Sequence, residues 1–410
     1  MSFLERTLWV LLLFGFISRL LVASYGIFEN DFQEDIRWAE SIMKYGLADS
    51  YGLSGTDRLP GGKLYILWAL GAIKNLSGVS EAVLYKLPAN ISDLVLAIFL
   101  FRFIKVRWGE EKGLITALLY FYSPIVWHIS ALWGQYDSVL ILLLLILLVA
   151  LFKNWLGITA SVLAFTFQFK PQAVFVVPLI LLYLWQTRSG AVNFIKRTLK
   201  VLGIAIGVIW ILSVPFVPNN NAHKADLGKL LSPWELTWTK LEAAHGAYPY
   251  GAVNAFNLWG FLKTNWELDS QTWVGVTYRG WGSMLFGVSI MLVIYKLWRR
   301  GKPLELEDYG FALGLIFLFG STFLTRVHER HILPFFFLYL LSVWSAAYRL
   351  KIYLLLTILA VMNSWFSYGW LLESPWTESN GSVMSLLSGL VVLGALFELG
   401  KIFTRDTFKK

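Results

Sequence analysis

Five ionisable side chains fall within the six residues Arg326-Val327-His328-Glu329-Arg330-His331. Apolar runs flank them, Gly310 to Leu324 before and Ile332 to Tyr348 after. Charge that dense at a membrane edge is either a solvated loop or a site for a headgroup or phosphate. Arg326 and Arg330 are four apart, so a helix would place both on one face. Paired guanidinium groups suit a phosphate or pyrophosphate, since each offers bidentate donors. His328 and His331 would share another face, but as metal ligands they lack a clear carboxylate partner. No cofactor is expected, and a divalent metal is the weaker alternative.

Carboxylates appear in two further clusters. In Asn30-Asp31-Phe32-Gln33-Glu34-Asp35, a carboxylate can act as general base, taking a proton from an acceptor hydroxyl as a new bond forms. The same acids also suit the cap and first turn of a helix, and both roles can hold at once. Trp133-Gly134-Gln135-Tyr136-Asp137 is wedged between two apolar runs. Asp137 suits the N-cap of the run that follows, Gly134 permits a tight turn, and Trp133 can anchor at the interface or stack on a sugar ring. In Phe169-Lys170-Pro171-Gln172, Pro171 suits the first turn of a helix. Lys170 either snorkels or holds a lipid phosphate as a point charge. The stretch Ala247 to Trp259, with Tyr248, Tyr250, Asn254 and Asn257, offers aromatic rings and amides to carbohydrate, or forms an ordinary interfacial belt.

The elements that must position these groups are membrane helices. Of 410 residues, 57% are hydrophobic and 15% charged, outside the range of soluble domains. The 20 Trp, 18 Tyr and 30 Phe agree, because such rings favour the membrane–water interface. Apolar runs long enough to cross a bilayer predict an all-α polytopic protein of about twelve spans. These are 8–25, 84–104, 113–129, 138–151, 155–167, 171–185, 201–216, 273–297, 309–324, 332–348, 352–371 and 383–403. Thr7–Gly26 lacks a cleavage site and reads as a retained first span. Residues 26–62 form a first outer loop. Within it Asp35–Tyr45 predicts an interfacial helix with Ile36, Ala39 and Met43 on its apolar face. Leu64–Leu76 predicts a second interfacial or re-entrant helix, and residues 218–270 a long outer loop. Arg19 and Asp93 lie within spans and should face the interior as a pair.

The net charge of +9 comes from Lys and Arg in short loops. That is the positive-inside pattern and not a nucleic-acid footprint. With no Cys, disulfides and thiol chemistry are excluded. The alternation leaves 30–57, 133–137, 170–172, 219–269, 326–331 and 373–380 on the external side of the cytoplasmic membrane. One face therefore carries basic loops and the other the chemistry, in a single domain over 1–410.

Taken together the motifs resemble the GT-C superfamily of integral-membrane glycosyltransferases, above all the bacterial polyprenol-phosphate-mannose-dependent mannosyltransferases. The matching pieces are Asp31 with Trp38, Leu87-Pro88 with Asp93, Trp133 to Asp137, and Lys170-Pro171-Gln172. Tyr248-Pro249-Tyr250, Asn254-Ala255-Phe256-Asn257 and His328-Glu329-Arg330 complete the series. The resemblance implies many spans, interfacial helices over a cavity, and an inverting transfer with an outer-loop Asp as base and no nucleotide sugar. Asp31 matches the family's catalytic position best; Asp35 falls where many relatives carry an aromatic. Leu59-Pro60-Gly61-Gly62 stands where relatives often have Tyr-Pro-Pro.

On this reading Lys170, Arg326, His328 and Arg330 meet the donor phosphate. Trp133, Gln135, Asp137, Gln172, Tyr248, Asn254 and His331 meet the substrates. The partners would be a polyprenyl-phosphate-linked sugar, a lipid or glycan acceptor and membrane lipids. A transporter or flippase of a lipid-linked sugar is the main rival, though transporters gather polar groups at the midplane and often repeat their halves. A lipid-linked glycan polymerase or ligase is a second rival.

Overall fold

The computed structural model describes residues 2–25, 29–53, 58–218, 226–300, 304–371 and 381–404. Helices dominate. Among the described residues seven are long and apolar enough to cross a membrane: Phe3–Tyr25, Glu81–Trp108, Ala191–Phe216, Tyr278–Arg299, Leu306–Phe323, Ala347–Gly369 and Gly381–Ile402. An eighth counts if Glu110–Phe121 and Pro124–Trp133, bent by 42°, form one broken span. The expectation of about twelve is not met on length. Its remaining four runs are the helices Asp137–Phe152, Leu156–Phe169, Pro171–Gln186 and Leu333–Leu340. A 16-residue helix such as Asp137–Phe152 reaches only about 24 Å, short of a hydrocarbon core of about 30 Å. Hydropathy marks such a run as apolar without revealing where its helix stops.

The chain forms two compact units. One comprises Met1–Ile17, Ser92–Ser130 and Tyr248–Lys410; the other comprises Ser18–Ile91 and Ala131–Ala247. In the first, Leu306–Phe323 is buried along almost its whole length. It packs on the equally buried Leu333–Leu340, where Phe311 and Tyr339 rings lie 5.2 Å apart. Arg349 ends that layer by donating to the Ser342 carbonyl at 3.0 Å. Two pairs of very short strands occur here. Ala252–Val253 runs parallel to Val327–His328, and Thr272–Trp273 antiparallel to Val276–Thr277.

In the second unit the helix Glu29–Leu53 is interrupted at Gly46, whose φ of 78° departs from helical geometry. Its buried face is Phe32, Ile36, Ala39 and Ile42, spaced as one helical stripe. Met43, expected on that face, lies at its exposed edge against Gly71 of the helix Lys63–Leu76. A Cβ on Gly71 would come within 2.9 Å of Met43, so the bare glycine permits the close approach. Of the polar stretches expected on the external side, residues 54–57 of 30–57, residues 219–225 of 219–269 and all of 373–380 lie outside the described residues.

Candidate functional site

Asp31 stands in the first turn of Glu29–Leu53, and the Trp133–Asp137 motif reaches it directly. Asp31 Oδ2 accepts the Trp133 indole N–H at 3.0 Å and the Gln135 amide N–H at 2.6 Å. Both bonds fall on one oxygen. Among the described residues no hydrogen bond occupies Oδ1, and the residue is only half-buried. Trp133 is itself buried, so its ring packs inside the protein and its N–H holds the carboxylate.

The local fold explains how two donors so close in sequence converge. The π-turn His128–Trp133 stops at Gly134, whose φ is 83°. A Cβ there would come within 3.0 Å of the Lys86 side chain. Lys86 is fully buried, and its ammonium donates to the carbonyls of Leu132 at 2.8 Å and Ala23 at 3.1 Å. Both carbonyls lie near helix ends, where the last C=O groups lack intrahelical partners and cations are favoured.

Asp35 has a different environment. It is buried and paired with Lys63 at 2.5 Å. The Lys63 ammonium also lies 4.8 Å from the Tyr136 ring centroid, and the Arg58 guanidinium lies 5.1 Å from the Trp38 ring. Burial lowers the Lys63 pKa, and the Asp35 charge only partly opposes it.

Asp137 does not cap its helix, because Tyr136 occupies the N-cap position. Its Oδ1 instead accepts Lys170 Nζ at 2.6 Å. Among the described residues its Oδ2 is enclosed without a hydrogen-bond partner, as is Gln172 Oε1. Lys170 caps the 3-10 turn Pro171–Val176, with Pro171 at the first position as expected. The Leu59-Pro60-Gly61-Gly62 departure also has a physical reason. Gly61 and Gly62 have φ of 94° and 45°. A Cβ on Gly62 would meet Gln168 and Phe169 backbone at 2.5 Å. Without side chains, this turn lies directly on the end of the helix that precedes Lys170.

The Arg326–His331 cluster belongs to the other unit and is not helical as expected. Arg326 has φ of 63°, Val327–His328 is a strand, and Glu329–Ile332 is a 3-10 turn. The two arginines therefore share no helical face. Arg326 donates Nε to Asp269 Oδ2 at 2.7 Å and Nη2 to Oδ1 at 3.1 Å. Its backbone N–H bonds the Tyr250 carbonyl at 2.9 Å. Burial pushes the Asp269 carboxyl up. Hydrogen bonds from Arg326 and Thr325, with the Arg326 and Arg279 charges, outweigh that and hold it below its ordinary value.

Arg330 pairs with its neighbour Glu329 at 3.0 Å, and Ser367 donates to the same carboxylate at 3.0 Å. Burial raises the Glu329 pKa despite these contacts. His331 Nδ1 accepts the His328 backbone N–H at 3.4 Å, and Tyr248 packs edge-on against His328 at 4.7 Å. Asn254 is buried. Its Oδ1 accepts from Asn265 at 3.0 Å and from Trp266 at 2.9 Å, so its amide is engaged in holding the loop. Among the described residues, no group of three or more His, Asp and Glu is placed to hold a metal ion.

Arg19 and Asp93 are buried as expected. Arg19 donates to Asn90 at 3.4 Å, and Asp93 accepts the Tyr120 hydroxyl at 2.8 Å. Sequence reasoning missed Lys63, Lys86 and Asp269. Each is a single charged residue beside an apolar or loop stretch, a pattern shared with ordinary snorkelling or solvated positions. The one available signal was Lys86 immediately before the matching Leu87-Pro88.

Residues 63–216 match the model of a family described as dolichyl-phosphate-mannose-protein mannosyltransferase. The match indicates a glycosyltransferase of the mannosyltransferase type and supports the GT-C resemblance. It contains Lys63, Lys86, Trp133, Gln135, Asp137, Lys170 and Gln172; Asp31, Asp35 and the Arg326–His331 cluster lie outside it. No curated protein matches the chain.

Proposed function

We propose that this protein is an inverting glycosyltransferase. It moves a sugar, mannose in the simplest case, from a polyprenyl-phosphate donor to a lipid or glycan acceptor at the outer face of the cell membrane. The observation that carries this is the Asp31 carboxylate, with Oδ2 pinned by Trp133 and Gln135 and Oδ1 without a hydrogen bond among the described residues. Two N–H donors fix the orientation of a group that must meet an acceptor hydroxyl within hydrogen-bond reach.

The acceptor oxygen attacks the anomeric carbon as Asp31 Oδ1 takes its proton. The bond from that carbon to the phosphate oxygen breaks, and polyprenyl phosphate leaves carrying its negative charge. A fixed cation stabilises that charge where it develops. Lys170 and Lys63 supply cations within the unit that holds Asp31, each already oriented by a carboxylate at 2.6 and 2.5 Å. Arg326 has its guanidinium engaged by Asp269 and is assigned instead to holding the loop.

Purified protein in lipid nanodiscs, given labelled polyprenyl-phosphate-mannose and a membrane lipid extract, should transfer label with inversion at the anomeric carbon. No product with any polyprenyl-phosphate hexose would contradict the proposal.

A further inference from the structure

Thr272–Trp273 and Val276–Thr277 form an antiparallel hairpin whose two turn residues are Val274 and Gly275. Their φ values are 50° and 76°. Such a turn favours Asn-Gly, because both positions are left-handed. A β-branched residue at positive φ is an outlier, so Val274 holds a conformation that Asn would adopt at lower cost. The residue is also 77% exposed, beside Trp273 at 54% and Val276 at 39%. Gln271 to Thr277 carries no charge. An apolar tip kept on a strained turn is unfavourable in water and favourable in an apolar medium, by about 25 cal/mol per Å² removed from water.

The hairpin runs without a break into a helix long and apolar enough to cross the membrane, Tyr278–Arg299. Thr277 caps that helix, its hydroxyl oxygen accepting the Gly280 N–H at 3.1 Å. Trp281, one turn in, donates its indole N–H to the Trp273 carbonyl at 2.8 Å, with the two rings 5.9 Å apart. The tip is thus braced on the first turn of the span. Trp273, Tyr278 and Trp281 are the ring types that collect at the membrane–water interface.

We infer that this hairpin is a membrane anchor, seating Trp273, Val274 and Val276 in the boundary between lipid headgroups and acyl chains. The Tyr278 N–H bonds the Gln271 carbonyl at 2.9 Å and the Arg279 N–H bonds the Asp269 carbonyl at 3.1 Å. The anchor therefore holds the same segment whose Asp269 side chain grips Arg326. This inference stands apart from the transfer reaction.

The chain has no cysteine, so Val274→Cys and the exposed Glu267→Cys each create a single labelling site in the full-length protein. A nitroxide at each site, in nanodiscs of phosphatidylcholine and phosphatidylglycerol, reports collisions with oxygen and with a water-soluble nickel chelate. The label at 274 should collide preferentially with oxygen and the label at 267 with nickel. A label at 274 that behaves like the one at 267 overturns the inference, because the tip is then in water. Shielding of 274 from both reagents also overturns it, since a protein surface then covers the tip. Val276→Cys gives the same reading should Val274→Cys fail to fold.

Discussion

Asp31 and Asp35 are four residues apart on one helix, yet their partners divide their duties. Asp31 is held through one oxygen by two neutral donors, while the buried Asp35 is joined to a part-buried ammonium. Removing one member of a buried ion pair leaves an uncompensated charge and costs about 3–5 kcal/mol. Lys63 keeps 14% side-chain exposure, which places Asp35→Asn at the lower end of that range. Denaturant unfolding should show the loss, and Asp35→Asn combined with Lys63→Met should recover most of it. Unchanged stability of the single variant contradicts the pairing role. The glycines give a second residue-scale test. Gly62→Ala forces a Cβ onto the Gln168 backbone at 2.5 Å, whereas Gly78 faces open space. Overpacking of this kind costs about 1–3 kcal/mol, so Gly62→Ala should unfold at a lower midpoint than Gly78→Ala; equal midpoints refute the close approach.

At the scale of elements, the segment from Tyr248 to Asp269 is tied to the strand at Val327–His328 by an ion pair spanning 57 residues of sequence. The Asp269 carboxyl is held below its ordinary value. Its contribution is therefore present above the unfolded carboxylate pKa of about 3.9 and is lost as pH falls through the lower folded value. Protection from hydrogen exchange in 248–271, taken relative to the intrinsic rate at each pH, should stay high across neutral pH and fall only in acid. Asp269→Asn should be less protected across neutral pH, should converge with the wild type in acid and should show no acid step. A wild-type profile for the variant would show that the pair does not hold the loop.

None of this geometry was legible in the sequence. The four-residue spacing of Arg326 and Arg330 suggested a helix face, but Arg326 adopts left-handed backbone and a strand follows. By contrast, Trp133, Gln135 and Asp31 were legible as chemistry-bearing residues. Their contact was not, because nothing in spacing brings residues 102 and 104 positions apart together.

At the scale of the whole molecule, composition and apolar run length were enough to reveal a helical membrane protein. Each of the twelve expected runs contains helix; four are too short to qualify as spans by length, and 113–129 qualifies only as a bent pair of helices. Helix ends are set by local events such as the Gly134 turn and the Lys170–Pro171 break, which hydropathy averages away. The family match over 63–216 covers the motif that holds Asp31 but not Asp31 itself. The proposed transfer therefore depends on that carboxylate being the base. Its most direct test is turnover of polyprenyl-phosphate-mannose by wild-type protein, Asp31→Asn and Asp35→Asn in the same nanodiscs, with folding checked by unfolding midpoint. Loss of a general base costs about 10²–10⁴-fold in rate. Asp31→Asn should lose that much while keeping its midpoint, and Asp35→Asn should lose stability first and rate less. Full turnover by Asp31→Asn, with activity abolished in a folded Asp35→Asn, would contradict the assignment.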